Sequence, residues 1–215
     1  MARILIFGGH GKVALLLEPL LTARGDQVTA VIREAGQADD VRAAGADPVV
    51  FDVESASREA MAMLIAGHDA VVWSAGAGGG SPERSRAVDL DAAVRSMDAA
   101  GDAEVRRYVM VSYFGSSPAH GIDPSNSFFA YAEAKAAADE HLRATSLDWT
   151  VLAPSRLTLE APTGRVDATA DVSGSVSRAD VAAVIAQTLI EPATIRRTIR
   201  FNEGDQPIDL ALRTL

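Results

Sequence analysis

The chain has no cysteine, which excludes disulfides and thiolate chemistry and makes a structural zinc site a poor expectation. His68, His120 and His141 stand without a carboxylate or a second histidine at metal-ligand spacing. They read as surface or loop residues, and no metal is expected. No basic tract stands out, and the formal net charge is −9. Nucleic acid is therefore not an expected partner, because phosphate binding needs a positive footprint. No apolar stretch is long enough to span a bilayer, so no membrane partner is expected. Lys12 and Glu18 interrupt the N-terminal apolar segment, which does not read as a signal peptide and points to a cytoplasmic protein. Internal repeats, low-complexity tracts and interdomain linkers are also missing. The 215 residues, 48% of them hydrophobic, read as a single domain, 1–215, with enough apolar mass for a large core.

What is present is an alternation of short apolar runs with helical patterns, the signature of parallel βαβ units. Strands are expected at residues 3–7, 28–32, 49–51, 70–73, 105–111, 149–152 and 198–201. The first helix closes near Arg24-Gly25, with Pro19 inside it predicting a kink or an early end. Ser81, Pro82 and Glu83 cap a long helix ending near Gly101. Further helices are expected over 127–145 and 177–190, the latter stopped by Pro192. Ser74-Ala75-Gly76-Ala77-Gly78-Gly79-Gly80 forms a loop with no bulky side chain.

Directly after the first strand stands Gly8-Gly9-His10-Gly11-Lys12-Val13-Ala14, opening the first helix. Strand, glycine turn and helix in that order suit a dinucleotide pyrophosphate. Glycine allows positive φ and close backbone approach, and the helix start offers unpaired N–H groups and partial positive charge. Ala14 takes the position where the helix packs on the strand.

Tyr131 and Lys135 lie four residues apart on the helix after the fifth strand, which puts phenol and ammonium on one face. A neighbouring cation favours phenolate, so Lys135 is expected to lower the Tyr131 pKa and fit it for proton transfer. Ser112 falls just past the fifth strand, at the carboxyl edge of the sheet where open α/β folds bind ligands.

In this order the motifs resemble the short-chain dehydrogenase/reductase superfamily, in its compact atypical branch of NmrA-like, flavin-reductase-like and small epimerase/dehydratase-like proteins. Val88-Asp89-Leu90, Val111-Ser112, Ala138-Asp139 with Leu142, residues 147–152 and Ser177-Arg178-Ala179-Asp180-Val181-Ala182 extend the likeness, which runs from about residue 3 to 190. The resemblance implies a doubly wound, mostly parallel Rossmann sheet with helices on both faces, in which about 154–215 forms a small substrate-side extension. It makes Tyr131 the acid/base, Lys135 the holder of the nicotinamide ribose, and Ser112 the group orienting the reacting carbonyl. Asp52 and Val53 would flank the adenine, Ser74, Ala75 and Gly76 would run beside the cofactor, and Pro154 and Ser155 would lie at the nicotinamide end. The Arg-Pro-Gly common in the family after the sixth strand is here Ala153-Pro154-Ser155, which changes the substrate side.

Arg33 ends the second strand, where NAD binders usually carry a carboxylate, and Glu34 follows it. A guanidinium suits a phosphate, so NADP is the expected cofactor, with NAD the alternative and His10 and Lys12 as further phosphate contacts. The leading expectation is an NADPH-dependent reductase of a small carbonyl, quinone-like or flavin-like substrate. The alternatives are an NmrA-like NADP sensor without turnover, or a small epimerase/dehydratase. Besides the substrate, fold analogy suggests a second copy of the chain as partner, in a homodimer.

Overall fold

The computed structural model describes residues 1–78 and 81–215. Gly79 and Gly80 of the expected glycine loop lie outside the described residues. In chain order the elements are β1 (Arg3–Phe7), α1 (Ala14–Ala23), β2 (Gln27–Ile32), α2 (Ala38–Ala43), β3 (Asp47–Val50), α3 (Arg58–Ile65) and β4 (Ala70–Trp73). There follow α4 (Pro82–Ser85), a π-helical turn (Arg86–Ala92), α5 (Ala93–Asp102), β5 (Arg107–Val111), α6 (Phe129–Ala144) and β6 (Asp148–Pro154). The chain ends with β7 (Arg156–Thr158), β8 (Arg165–Asp167), β9 (Ser175–Ser177), α7 (Arg178–Thr188), β10 (Arg197–Glu203), β11 (Gln206–Pro207) and α8 (Ile208–Arg213).

Among the described residues, one sheet has the order β11-β8-β10-β6-β5-β4-β1-β2-β3. From β3 to β10 every pairing is parallel; β8 and β11 add an antiparallel edge. The order reverses between β1 and β4, and a crevice at the carboxyl ends of those two strands is where such sheets hold ligands. β7 and β9 form a separate two-stranded ladder beside this end.

Strand side chains alternate between two cores, as a sheet covered on both faces requires. Ile4, Ile6, Val28 and Ala30 join the layer of α1 and α7, whereas Leu5, Phe7, Val71 and Trp73 join that of α3, α5 and α6. Each large side chain so buried contributes about 1.5–3 kcal/mol.

Pro19 neither ends nor shortens α1, which continues to Ala23. Proline lacks only one interior N–H bond here, and packing of α1 on α7 outweighs that loss. His120 stands in the loop between β5 and α6, as expected, but its ring is 4% exposed, pairs with Glu133 at 2.7 Å and packs on Phe129.

Candidate active site

The turn after β1 is shaped by its glycines. Gly8 has φ +81°, and a Cβ there would lie 2.6 Å from the Ala75 backbone; one on Gly9 would lie 2.5 Å from the Ala30 Cβ. The first turn and the loop after β4 are thus pressed together, and neither position admits a side chain. Among the described residues, the amides of Lys12, Val13 and Ala14 donate to no protein acceptor. Three free N–H groups at a helix start are a ready anion site.

Two adjoining cavities, of about 410 and 460 Å³, meet along Gly11, Ser74, Ala75, Gly76 and Gly78. The first runs from Gly8 and His10 past Arg33, Asp52 and Val53. The second takes in Lys12, Val13, Ser112, Tyr131, Lys135, Pro154 and Ser155. All the expected site residues except Gly9 therefore line one continuous crevice over the strand-order reversal, while Gly9 is buried beneath its floor. Arg33, Asp52 and Arg84 stand on the first cavity, and the free amides of Lys12 and Val13 stand on the second, next to the residues that the two share. The residues present fit a nicotinamide dinucleotide.

Several side chains already have partners. Arg33 pairs with Glu34 at 2.9 Å, both of them exposed. His10 holds Asp40 at 2.7 Å. Asp52 accepts the Ser55 hydroxyl and the Glu54 amide, and these bonds hold its carboxyl below the usual range. Arg84, which no sequence pattern marked, joins the first cavity and donates to Glu54 and to the Ala77 carbonyl.

One expectation at the second cavity is corrected. Lys135 does not depress the Tyr131 phenol. Its ammonium, fully buried, turns instead to the Val111 carbonyl at 2.8 Å and to the Met110 sulfur. Burial, with Asp89, Asp139 and Tyr113 nearby, pushes the Tyr131 phenol well above its ordinary value. Burial lowers Lys135, while Asp139 and Asp89 act against that shift. A shared helix face brought the two residues together, but the carbonyl at the end of β5 took the ammonium.

Ser112, which lines the same cavity, has a partner of its own. Its hydroxyl donates to Asp139 Oδ2 at 2.5 Å, as does that of Ser116. A serine hydroxyl has one proton, and here it points to Asp139, where the resemblance would have it orient the reacting carbonyl. Asp89 and Asp139 are the two groups whose roles went unread. Both belonged to motifs noted in the sequence, and the four-residue spacing of Lys135 and Asp139 puts those two on one face of α6; the burial of both carboxylates, and the approach of Asp89 from another helix, left no such mark. The remaining wall is aromatic and apolar: Tyr113, Phe128 and Tyr131 pack ring to ring at 5.0–5.6 Å, with Pro154 and Leu157 adjoining. The hydroxyls of Tyr113 and Ser155 are buried without a protein partner among the described residues. No group of three or more His, Asp or Glu residues among those described is placed to hold a metal.

Comparison with known proteins agrees with this geometry. A family model described as NAD(P)H-binding matches residues 8–192. The uncharacterized sugar epimerase YhfK of Bacillus subtilis is 34% identical, over 99% of this chain and all of its own. The oxidoreductase ylbE of Lactococcus lactis superposes with a TM-score of 0.88 at 32% identity, covering 99% of this chain and 96% of that one. ChuY, an anaerobilin reductase from Escherichia coli O157:H7, superposes at 0.78 with 25% identity, covering 94% and 98%. The chain belongs to the NAD(P)H-binding family, among the atypical short-chain dehydrogenases/reductases. No helix of the described residues is long and apolar enough to cross a membrane.

Proposed function

We propose that the protein is an NADPH-dependent reductase of a small, flat, unsaturated substrate, quinone-like or flavin-like, or of a small carbonyl compound. The observation that carries this reading is the meeting of Tyr131 with an aromatic, largely apolar wall at one end of the crevice. Such a wall suits a planar ring by stacking and offers little to a polyhydroxylated sugar.

When bound, the reduced nicotinamide supplies a hydride, that is, two electrons with one proton. Tyr131 supplies the second proton to the substrate atom on which negative charge collects, and regains one from solvent. Its raised pKa keeps the phenol protonated before the step. Tyr113, Phe128 and Leu157 orient the substrate and exclude water. The free amides of Lys12, Val13 and Ala14 hold phosphate oxygens, and Arg33, with Arg84 on the same cavity, favours the extra phosphate of NADP.

The test is oxidation of NADPH, followed by absorbance, with quinones and free flavins as acceptors. Turnover is expected for the natural chain, with loss of about 100-fold or more in Tyr131→Phe and cofactor binding retained. Tight binding with no turnover on any acceptor would favour the sensor. The name of the Bacillus subtilis relative favours epimerisation as a second reading, which requires a cofactor that co-purifies and resists dialysis.

A further inference from the structure

Asp89 is 1% exposed and forms part of the wall of the second cavity with Gly76, Tyr131 and Lys135. A π-helical turn carries it. Such a turn holds one residue more than an α-turn and re-aims the side chains it bears, and these turns gather at functional sites. The Asp89 Oδ2 accepts a single bond, from the Ala77 amide at 3.2 Å. Its Oδ1 accepts none from any described residue, and a Cβ on Gly76 would approach that oxygen to 3.1 Å. The unbonded oxygen thus faces the loop common to both cavities.

The charges around it are few. Lys135 is bonded to the Val111 carbonyl and coupled to both Asp89 and Asp139. Arg178, on the same wall, donates to the carbonyls of Leu157 and Thr158. Lys12 stands toward the phosphate end, beside Gly11 and Val13. Burial raises the Asp89 carboxyl, while Lys135, the Ala77 amide and Arg84 hold it down.

We propose that Asp89 sets the redox preference of the bound nicotinamide, favouring the oxidised ring, which is a cation, over the neutral reduced ring. The inference rests on the nicotinamide lying in this cavity, as the proposed function has it. A hydride leaves with both electrons of its C–H bond, so positive charge develops on the ring as the substrate takes the hydride and a proton. In its ionised form Asp89 offers a negative charge in a buried wall, where charge–charge interactions are stronger than in water. It also cancels the repulsion that the buried Lys135 ammonium would exert on a cationic ring. The device favours reduction of substrate over its oxidation.

Calorimetric titration tests this, with oxidised and reduced NADP and NAD added in turn to the natural protein, Asp89→Asn, Asp89→Glu and Asp139→Asn. Asparagine keeps an oxygen for the Ala77 amide, removes the charge, and makes the other oxygen an N–H donor; Asp89→Glu controls for the charge alone. Asp89→Asn is expected to weaken the oxidised form relative to the reduced form by about tenfold, equivalent to about 30 mV in the bound two-electron couple. Asp89→Glu keeps the charge and should leave that ratio within about twofold of the natural value, even if its fit is poorer. Asp139 does not line the cavity, and its asparagine variant should move the ratio less. Equal weakening of both forms by Asp89→Asn, the mark of a merely structural role, overturns the proposal. So does an equal shift of the ratio in Asp139→Asn, or a natural protein that binds neither nucleotide. Because the readout is equilibrium binding, failure to find any reducible acceptor would defeat the reductase reading and leave this result standing.

Discussion

A serine hydroxyl has one proton to give, and Ser112 gives it to Asp139. Ser112→Ala should therefore act on stability, removing one of two hydroxyl donors from a fully buried carboxylate at a cost of about 1–3 kcal/mol, measurable by urea unfolding. Its effect on turnover should be small beside that of Tyr131→Phe. Tyr131 makes a prediction of its own. An acid works while it is protonated, and this phenol is held above its ordinary value. The rate of NADPH oxidation should not decline between about pH 6 and 9 through loss of the Tyr131 proton. Removing a negative neighbour, as in Asp139→Asn, should lower the Tyr131 titration, read by ultraviolet difference absorbance. At the other end of the crevice, Arg33→Ala should weaken NADPH about tenfold or more while changing NADH little. Equal losses would assign Arg33 to the surface pair it makes with Glu34.

Among the elements, α1 carries the least expected group. Glu18 lies on its buried face with Ala14, Leu17 and Leu21, and neither carboxyl oxygen has a partner among the described residues. Burial pushes its pKa up from 4.5 to about 8. Below the unfolded value both states hold the proton. As pH rises toward the folded value the unfolded chain ionises first, so the stability contributed by the protonated group is lost progressively up to about pH 8. Glu18→Gln should flatten this dependence and melt higher than the natural chain under alkaline conditions, as followed by circular dichroism. The strands around this helix were readable because apolar runs and glycine turns carry local signals. β4 falls on residues 70–73 as expected, while β3 begins earlier than expected, at Asp47 and Pro48, residues that do not look like strand formers. The helix α3 went unread, although Ser57 caps it by accepting the Ala60 amide and Met61 and Ile65 share its buried face. β7 and β9 are three residues each and exist only through one another. The π-helical turn leaves no mark in the side-chain pattern. At the site, positions along the crevice were legible from motif order. Hydrogen-bond partners were not, because Lys135 meets the Val111 carbonyl and Asp139 meets Ser112 only after β5 and α6 have packed.

For the whole molecule, the crevice joins two halves of the chain, and a ligand lying along it must bind the folded state alone. NADPH at 100 times its dissociation constant should add about 2.7 kcal/mol of stability, raising the melting temperature in proportion to the logarithm of its concentration. The cofactor should also slow proteolysis at residues 74–78, which line the crevice.

The two cavities differ in when their walls leave the ribosome. The described wall of the first is complete once Val88 has been made, whereas the second draws on Ser112, Tyr131, Pro154 and finally Arg178. The strands that carry the first wall nonetheless share their buried core with β5, α6 and β6. Both halves of synthesis are therefore needed before either cavity has its folded walls.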